Sequence, residues 1–265
     1  YHIIYQQINS RGDTACERVF LPDKKTLQEY LRTNTPLLTL ETQRPLCDFP
    51  LVGIALTYEM DYFHLLDLLT FGRIPLTAAE RGEDDPLVIL GGPCATFNPE
   101  PVAAFVDVCI IGEGEEVIHE LLDVYYESRG NGLSRREMLA AFAGIEGLYV
   151  PSLYDHVYDE VGQLTGITAM AGAPRQVRRR WVADLDAYPA QTVVVAKDTE
   201  FKDMYLMEVA RGCGRHCRFC MAGYCYRRPR TRSLTDLCEA VDKAAQLGCK
   251  PGLMGAAISD YPYID

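Results

Sequence analysis

The sequence predicts an α/β protein built around parallel sheets. Two continuous apolar runs of strand length, "LVGIALTY" at 51–58 and "PLVILGGP" at 86–93, alternate with helical segments. Unbroken apolar strands are typical of parallel sheets that are covered on both faces. A third run, "MYLMEVA" at 204–210, precedes another helix and another strand, so the same alternation returns in the last quarter of the chain.

The elements of the first half follow one another in strand–helix order. "YHIIYQQIN" has helical spacing, "CERVFLP" is predicted as a short strand, "NPEPVAAF" as a short helix and "DVCIIGEGE" as a strand. Helices are predicted in "MDYFHLLDLLTFG", which ends at a glycine, and in "EVIHELLDVYY". Their apolar faces consist of Tyr62, Leu65, Leu66 and Leu69 in the first, and Val117, Leu121, Val124 and Tyr125 in the second.

The pattern loosens between 131 and 200, where "GLYVPSLYDHVYDEVGQLTGI" predicts a β-hairpin within a connector. The predicted domains are therefore 1–130, the connector 131–200 and a second domain at 201–265. The chain starts without a methionine and stops soon after a predicted strand, so we expect a fragment of a longer protein.

The second domain begins with the strand at 204–210, and five cysteines follow it between 213 and 238. A helix is predicted in "SLTDLCEAVDKAAQLG", with Ser233 and Asp236 as its N-terminal cap, and a strand in "GLMGAAIS" at 252–259. The predicted apolar stripe of the helix is Leu234, Leu237, Val241 and Ala244. The cysteines thus follow the carboxyl end of a strand, where barrels of alternating strands and helices carry their chemistry.

Composition excludes several classes of function. The net charge of −11 argues against a general nucleic-acid or membrane-surface binder. No apolar run approaches the roughly 18 residues that a membrane span needs, and no secretory signal is visible. A chain of this length does not need disulfides as staples. We therefore expect a cytoplasmic protein whose clustered cysteines bind metal.

The cysteine spacing is Cys-x3-Cys-x2-Cys, formed by Cys213, Cys217 and Cys220. Thiolates bind zinc or iron–sulfur clusters, and a 4Fe–4S cluster held by three cysteines leaves one iron without a protein ligand. Two alternatives stay open at this point. A structural zinc site would recruit His216 or Cys225 as its fourth ligand, and a simple electron-carrying cluster would need a fourth cysteine.

The segment "CGRHCRFC" resembles the signature of the radical S-adenosylmethionine (radical SAM) enzymes. The resemblance implies that Cys213, Cys217 and Cys220 hold a 4Fe–4S cluster and that Phe219 lies near the adenine of the cofactor. It also implies that the open iron binds S-adenosylmethionine and that one electron cleaves it to a 5′-deoxyadenosyl radical, which abstracts a substrate hydrogen. A reduced flavodoxin or ferredoxin is the implied electron donor.

Many members of this family carry a Gly-Gly-Glu stretch at the end of the second barrel strand. This chain has "GAAISDYP" there, in which Gly255 matches one glycine. Ser259 and Asp260 are the residues that we expect to take the place of the missing glutamate near S-adenosylmethionine.

The segment "VILGGPCATFNPEPVAAFVDVCIIGEGEEVIHELL" resembles the cobalamin-binding-type Rossmann domain that precedes many radical SAM barrels. The two resemblances together imply a Rossmann-like, flavodoxin-type parallel-sheet domain followed by the first part of a radical SAM partial TIM barrel, as in a poorly characterised subfamily. Histidine ligation of cobalamin is not expected, because no Asp-x-His-x-x-Gly motif is present. Ligands of such sheets bind beyond the carboxyl ends of the strands, although tight turns there need glycine in any case. The candidates for a cobalamin or other ligand crevice are Gly91, Gly92, Gly112, Glu113 and Gly114.

Seven arginines surround the cysteines, and two tyrosines lie among them. They indicate either an anionic substrate such as RNA or charge compensation for the cluster, with pairing to the acidic helix at 236–242. RNA would indicate a methylthiotransferase-like enzyme, which carries three N-terminal cysteines at strand ends. Cys94 fits such a place, but Cys47 precedes its strand and Cys16 is off pattern, so this reading ranks second. The arginines and tyrosines are Arg211, Arg215, Arg218, Arg227, Arg228, Arg230, Arg232, Tyr224 and Tyr226.

Overall fold

The structure, a computed structural model, describes residues 1–170, 172–196 and 199–264. Its contacts divide the chain into a larger unit, Cys16–Arg180, and a smaller unit that combines Tyr1–Ala15 with Trp181–Asp265. The predicted connector at 131–200 is therefore shared between the two units. The cobalamin-binding-like and barrel assignments of the predicted domains stay predictions.

Helices and strands alternate through much of the chain, and the α/β class is confirmed. In chain order, the helices in the described residues are α1 (His2–Asn9), α2 (Lys24–Thr33), α3 (Asp61–Phe71), α4 (Pro93–Phe97), α5 (Val117–Gly130), α6 (Arg135–Phe142), α7 (Ala222–Cys225) and α8 (Leu234–Gln246). The strands are β1 (Leu51–Ala55), β2 (Leu87–Gly91), β3 (Val108–Ile110), β4 (Leu148–Tyr149), β5 (Tyr154–Tyr158), β6 (Leu164–Ala169), β7 (Met204–Glu208), β8 (Ala210–Arg211), β9 (Arg230–Thr231) and β10 (Lys250–Met254). Within the described part of the chain, no helix has the length and apolar character that a membrane span requires.

The larger unit contains a four-stranded sheet in the order β1-β2-β3-β4. β1, β2 and β3 are parallel, and β4 runs antiparallel at the edge. Alternate residues of β2 enter two different cores: Val88 and Leu90 face one cluster, while Leu87 and Ile89 face the other. The prediction of a parallel sheet covered on both faces is therefore confirmed, because each face of the central strand is buried.

The helices of the larger unit bury the faces that their spacing predicts. Leu65 and Leu69 of α3 are fully buried, and the helix ends at Gly72 as expected. Val117, Leu121 and Tyr125 of α5 face the second core. β5 and β6 form the predicted hairpin.

One prediction for the larger unit was wrong. Residues 16–22 form no strand, and Glu17 instead accepts hydrogen bonds from the hydroxyls of Thr39 and Thr42 at 2.6 and 2.8 Å. The Arg18 carbonyl accepts from the Leu40 N–H at 2.8 Å, but the Arg18 N–H donates to the Glu41 carboxylate at 2.6 Å, so the paired backbone bonds of an antiparallel ladder do not form there. The segment "NPEPVAAF" forms a short helix as predicted, the 3-10 helix Glu100–Phe105.

The smaller unit contains a strand–helix–strand motif. β7 and β10 pair in parallel, and α8 connects them and packs on them through Leu237, Ala240 and Ala244. The Ser233 side chain caps α8 by accepting a hydrogen bond from the Asp236 backbone N–H at 3.2 Å.

The predicted apolar stripe of α8 was half wrong. Leu234 and Val241 are 49% and 41% exposed, because Ala240 lies on the face that meets the strands in place of Val241. The final strand is also shorter than predicted. It ends at Met254, and the 3-10 turn Ile258–Asp260 follows it.

Replacing Gly112 by alanine is expected to destabilise the larger unit by at least about 1–3 kcal/mol, the cost of a strained backbone position. Gly112 has φ +110°, and a Cβ atom there would lie 2.1 Å from the Arg180 carbonyl oxygen. The midpoint of urea unfolding, followed by circular dichroism, measures this loss.

The control is Gly130→Ala at the end of α5, where a Cβ atom would meet nothing within 4 Å. We expect this variant to be unchanged or to gain about 0.5–1 kcal/mol, because alanine favours helix. Equal midpoints for the two variants would contradict the packing argument at Gly112.

Candidate functional site

The cysteine loop, residues 212–229, lies between β8 and β9. These short strands pair antiparallel, Ala210 with Thr231 and Arg211 with Arg230, so they bring the two ends of the loop together. Gly212 has φ +87°, and a Cβ atom there would lie 2.1 Å from a backbone carbonyl oxygen of the loop's far end. Only glycine fits at this position. The loop follows β7 and precedes α8, as the sequence predicts for a loop at the carboxyl end of a strand.

The loop presents the three predicted cluster ligands as free thiols. Cys217 is exposed, and Cys213 and Cys220 are partly exposed. A turn connects the last two, because the Cys220 N–H donates to the Cys217 carbonyl at 3.1 Å. Three accessible thiols on one loop are a donor set whose chemistry fits an iron–sulfur cluster.

The three thiols do not form a ready metal site among the described residues. Across residues 1–170, 172–196 and 199–264, no three His, Cys, Asp or Glu side chains are grouped closely enough to hold a metal ion. Apart from the short helix α7, the loop consists of turns and irregular backbone.

The zinc alternative would use either His216 or Cys225 as its fourth ligand. Cys225 is 5% exposed and lies in the short helix α7. The Arg227 guanidinium lies 2.6 Å from Nδ1 of His216. An arginine only donates hydrogen bonds, so this nitrogen accepts and is not available as a metal ligand while the bond is present.

The predicted S-adenosylmethionine contacts lie in different surroundings. Phe219 is 91% exposed. Gly255 follows β10, and a Cβ atom there would lie 3.2 Å from the Ala210 carbonyl oxygen. Ser259 is exposed in the 3-10 turn after β10. The structure thus places Gly255 beside the strand that leads into the cysteine loop, whereas Phe219 projects away from its neighbours.

The carboxylate of Asp260 also lies beside the cysteine loop. It lines a small pocket of about 60 Å³ together with Gly212 and Cys213, and it forms an ion pair with Arg215. The hydrogen bond from Arg215 holds the pKa of the Asp260 carboxyl below its usual value. The structure therefore brings the turn after β10 close to Cys213, the first of the predicted cluster ligands.

Two of the seven arginines belong to a buried network around Glu208 at the end of β7. Arg211 donates to both carboxylate oxygens at 2.9 Å, and Arg232 donates to Oε2 at 2.8 Å. Burial raises the pKa of Glu208, but the hydrogen bonds and charges of the two arginines more than offset burial, so the pKa lies below its usual value. Arg232 also binds the backbone carbonyls of Leu185 and Tyr188. These arginines stabilise the smaller unit rather than offer a substrate site.

The other arginines of the group differ in their surroundings. Arg227 lies 4.0 Å above the ring of Tyr224, and Arg230 lies 5.2 Å from the ring of Trp181. Among the described residues, the ion pairs of the group run to Glu208 and Asp260, whereas the charge-compensation alternative expects pairing with the helix at 236–242. Arg218 and Arg228 are exposed. An anionic substrate would therefore meet chiefly these last two side chains.

The predicted ligand crevice at the ends of β2 and β3 is closely approached by protein backbone. Gly92 has φ +108°, and a Cβ atom there would lie 2.5 Å from the Leu56 carbonyl oxygen. A Cβ atom at Gly112 would likewise lie too close to the backbone, 2.1 Å from the Arg180 carbonyl oxygen. The Glu113 N–H donates to the same carbonyl at 3.1 Å. The positions concerned are Gly91 and Gly92 at the end of β2, and Gly112, Glu113 and Gly114 between β3 and α5. The two glycines with positive φ thus serve the packing of the unit.

Sequence reasoning missed the role of Arg180. Its guanidinium pairs with Glu116, the N-cap residue of α5, at 3.0 Å and with Glu120 of α5 at 2.6 Å. The available signal was the spacing of the two glutamates, which puts them on one helical face. These pairs fix the backbone of Arg180 against the end of β3.

Fold and loop together define an α/β protein with a three-thiol loop at the carboxyl end of a parallel strand. Residues 1–151 match the family model described as "Radical SAM proteins, N-terminal". This match covers more than half of the chain, and the chain belongs to the radical SAM proteins.

An uncharacterized protein of Methanocaldococcus jannaschii is 26% identical over 242 residues, which cover 90% of this chain and 45% of the relative. The chain thus spans about half the length of this curated relative. No solved structure matches the chain.

Proposed function

We propose that the chain is the cluster-bearing part of a radical SAM enzyme, with a 4Fe–4S cluster on Cys213, Cys217 and Cys220. The observation that supports this most directly is the set of three accessible thiols on one loop at the end of β7. Membership of the family supports the same conclusion. Three ligands for four irons leave one iron open for S-adenosylmethionine.

The chemistry that such a cluster supplies is one-electron cleavage of S-adenosylmethionine, which gives a 5′-deoxyadenosyl radical that abstracts a substrate hydrogen. The protein binds and orients the cofactor and the substrate and shields them from water. We propose Gly255 and Ser259 as contacts of the cofactor at the end of β10, and Phe219 as the aromatic neighbour of its adenine. Because the Phe219 ring is 91% exposed, this role requires the loop to fold inward when the cofactor binds.

The proposed partners follow from the same chemistry. A reduced flavodoxin or ferredoxin would supply the electron. The substrate is proposed to be anionic, and the exposed side chains of Arg218 and Arg228 are the positive groups that support it. An RNA methylthiotransferase is less well supported, because it needs a second cluster on N-terminal cysteines. Burial raises the pKa of both Cys16 and Cys94, which opposes the thiolate form that a cluster requires.

Cobalamin is proposed as a further cofactor only because the segment that begins "VILGGP" resembles cobalamin-binding Rossmann domains. Gly92 and Gly112 lend it no support, because their close neighbours are protein backbone. Equilibrium dialysis of the purified chain against hydroxocobalamin tests this part of the proposal independently of the cluster.

Electron paramagnetic resonance of the anaerobically reconstituted and reduced chain tests the cluster assignment. We expect a 4Fe–4S signal that shifts when S-adenosylmethionine is added, because its amino and carboxylate groups would bind the open iron. Adenosine, which lacks both groups, is the control and should leave the signal unchanged.

The other results would favour other classes of protein. A 4Fe–4S signal that S-adenosylmethionine does not change would indicate a closed, electron-carrying cluster. Zinc in the purified chain, with no iron signal after reconstitution, would indicate a structural metal site and contradict the enzyme assignment.

A further inference from the structure

The segment between the first two cysteines is tied to the end of β10 by a bidentate ion pair. Nε of Arg215 donates to Oδ2 of Asp260 at 3.0 Å, and Nη2 donates to Oδ1. The two residues are 45 positions apart in the sequence. Paired, parallel hydrogen bonds of this kind fix the orientation of both groups as well as their distance.

The position of this pair matters for the cysteine loop. β8, β9 and Gly212 hold the ends of the loop, while Cys217 in its middle is exposed. Arg215 lies between Cys213 and Cys217, and Asp260 lines the same small pocket as Cys213. The pair therefore fixes the stretch that separates the first two ligands relative to the turn after β10.

The sequence alone places Asp260 among the contacts of S-adenosylmethionine. In the structure both of its carboxylate oxygens accept hydrogen bonds from Arg215. A direct bond to the amino group of the cofactor would compete with this pair. The carboxylate is therefore better placed to hold the loop than to hold the cofactor.

We propose that Asp260 is a positioning residue that holds the cysteine loop through Arg215 and so sets the spacing of Cys213 and Cys217 for the cluster. This inference rests on the proposed function. The side chains of Arg215 and Asp260 are 60% and 46% exposed, and ion pairs this exposed contribute little to the free energy of unfolding. Breaking the pair should therefore loosen the loop without unfolding the unit.

The test uses Asp260→Asn, Arg215→Gln and the charge-swapped double variant Arg215→Asp/Asp260→Arg. In the metal-free chain we expect faster amide hydrogen exchange at residues 213–217 in both single variants and slower exchange again in the double variant. After anaerobic reconstitution, we expect the single variants to lose iron to a chelator roughly tenfold faster, the lower end of the effect of groups that orient metal ligands. The double variant should recover most of this difference.

Glu29→Gln is the matched control. It breaks the exposed ion pair of Glu29 with Arg32 on α2, whose side chains are 57% and 71% exposed. We expect this variant to match the wild type in exchange and in iron loss. The thermal unfolding midpoints of all variants should agree, which separates positioning from a general loss of stability.

The outcomes separate this inference from the proposed function. If the wild type binds no iron–sulfur cluster, the proposed function fails, and the exchange data still decide whether Asp260 holds the loop. If Asp260→Asn and Arg215→Gln exchange at 213–217 as the wild type does, or if the double variant restores nothing, the positioning role is overturned.

Discussion

Replacing Cys213, Cys217 or Cys220 by alanine is expected to remove the cluster from the reconstituted chain. Groups that merely orient a metal ligand contribute roughly 10- to 100-fold to metal affinity, so loss of a ligand should lower it at least 100-fold. Iron and sulfide per chain, together with the brown colour, measure the loss.

Three other cysteines of the smaller unit provide controls. Cys238 is exposed and Cys249 is partly exposed, and alanine at either position should leave the iron content unchanged. Cys225→Ala distinguishes the metals, because the zinc alternative uses Cys225 as a fourth ligand and the three-cysteine cluster does not. Retention of iron after loss of Cys217, or its loss with Cys225→Ala, would count against the proposed ligand set.

Asp107→Asn is expected to destabilise the larger unit by about 3–5 kcal/mol, the usual cost of removing one partner from a buried ion pair. The Asp107 carboxylate binds Arg81 at 2.8 Å and Arg135 at 3.0 Å. The side chains of Arg81 and Asp107 are 0% and 1% exposed, and that of Arg135 is 11% exposed. Asparagine preserves the shape but leaves two arginines without their counter-charge in a site that water hardly reaches.

This loss would appear as a lower urea midpoint for the unfolding transition of the larger unit. The control is Asp84→Asn, because Asp84 is exposed and surface substitutions usually change stability by less than about 0.5 kcal/mol. If the two variants unfold at the same urea concentration, the buried pair contributes nothing to stability.

The fold was predictable wherever a local pattern carries the information. β1 and β2 are apolar runs without interruption, and α3 has helical spacing that ends at Gly72. The segment 16–22 was mistaken for a strand, because its apolar residues say nothing about whether a partner strand lies beside it. In the structure the Glu17 carboxylate accepts a hydrogen bond from the Thr39 hydroxyl.

The candidate site was predictable to a similar extent. The three cysteines and their place after β7 follow from spacing and from a strand-like run. The roles of the arginines did not follow, because charge alone does not distinguish a buried partner from an exposed side chain. Arg211 and Arg232 look like Arg218 in the sequence, yet the first two are 8% and 4% exposed and bind Glu208.

By itself, the sequence determined the α/β class, the strand–helix order around both parallel sheets and the position of the three-thiol loop. These properties depend on neighbours within a few residues, where periodicity and spacing act. Only the tertiary structure decided that Arg232 neutralises Glu208 from 24 residues away and that Asp260 binds Arg215 from 45 residues away. The physical reason is that hydrogen bonds and burial depend on which distant segments the fold brings into contact.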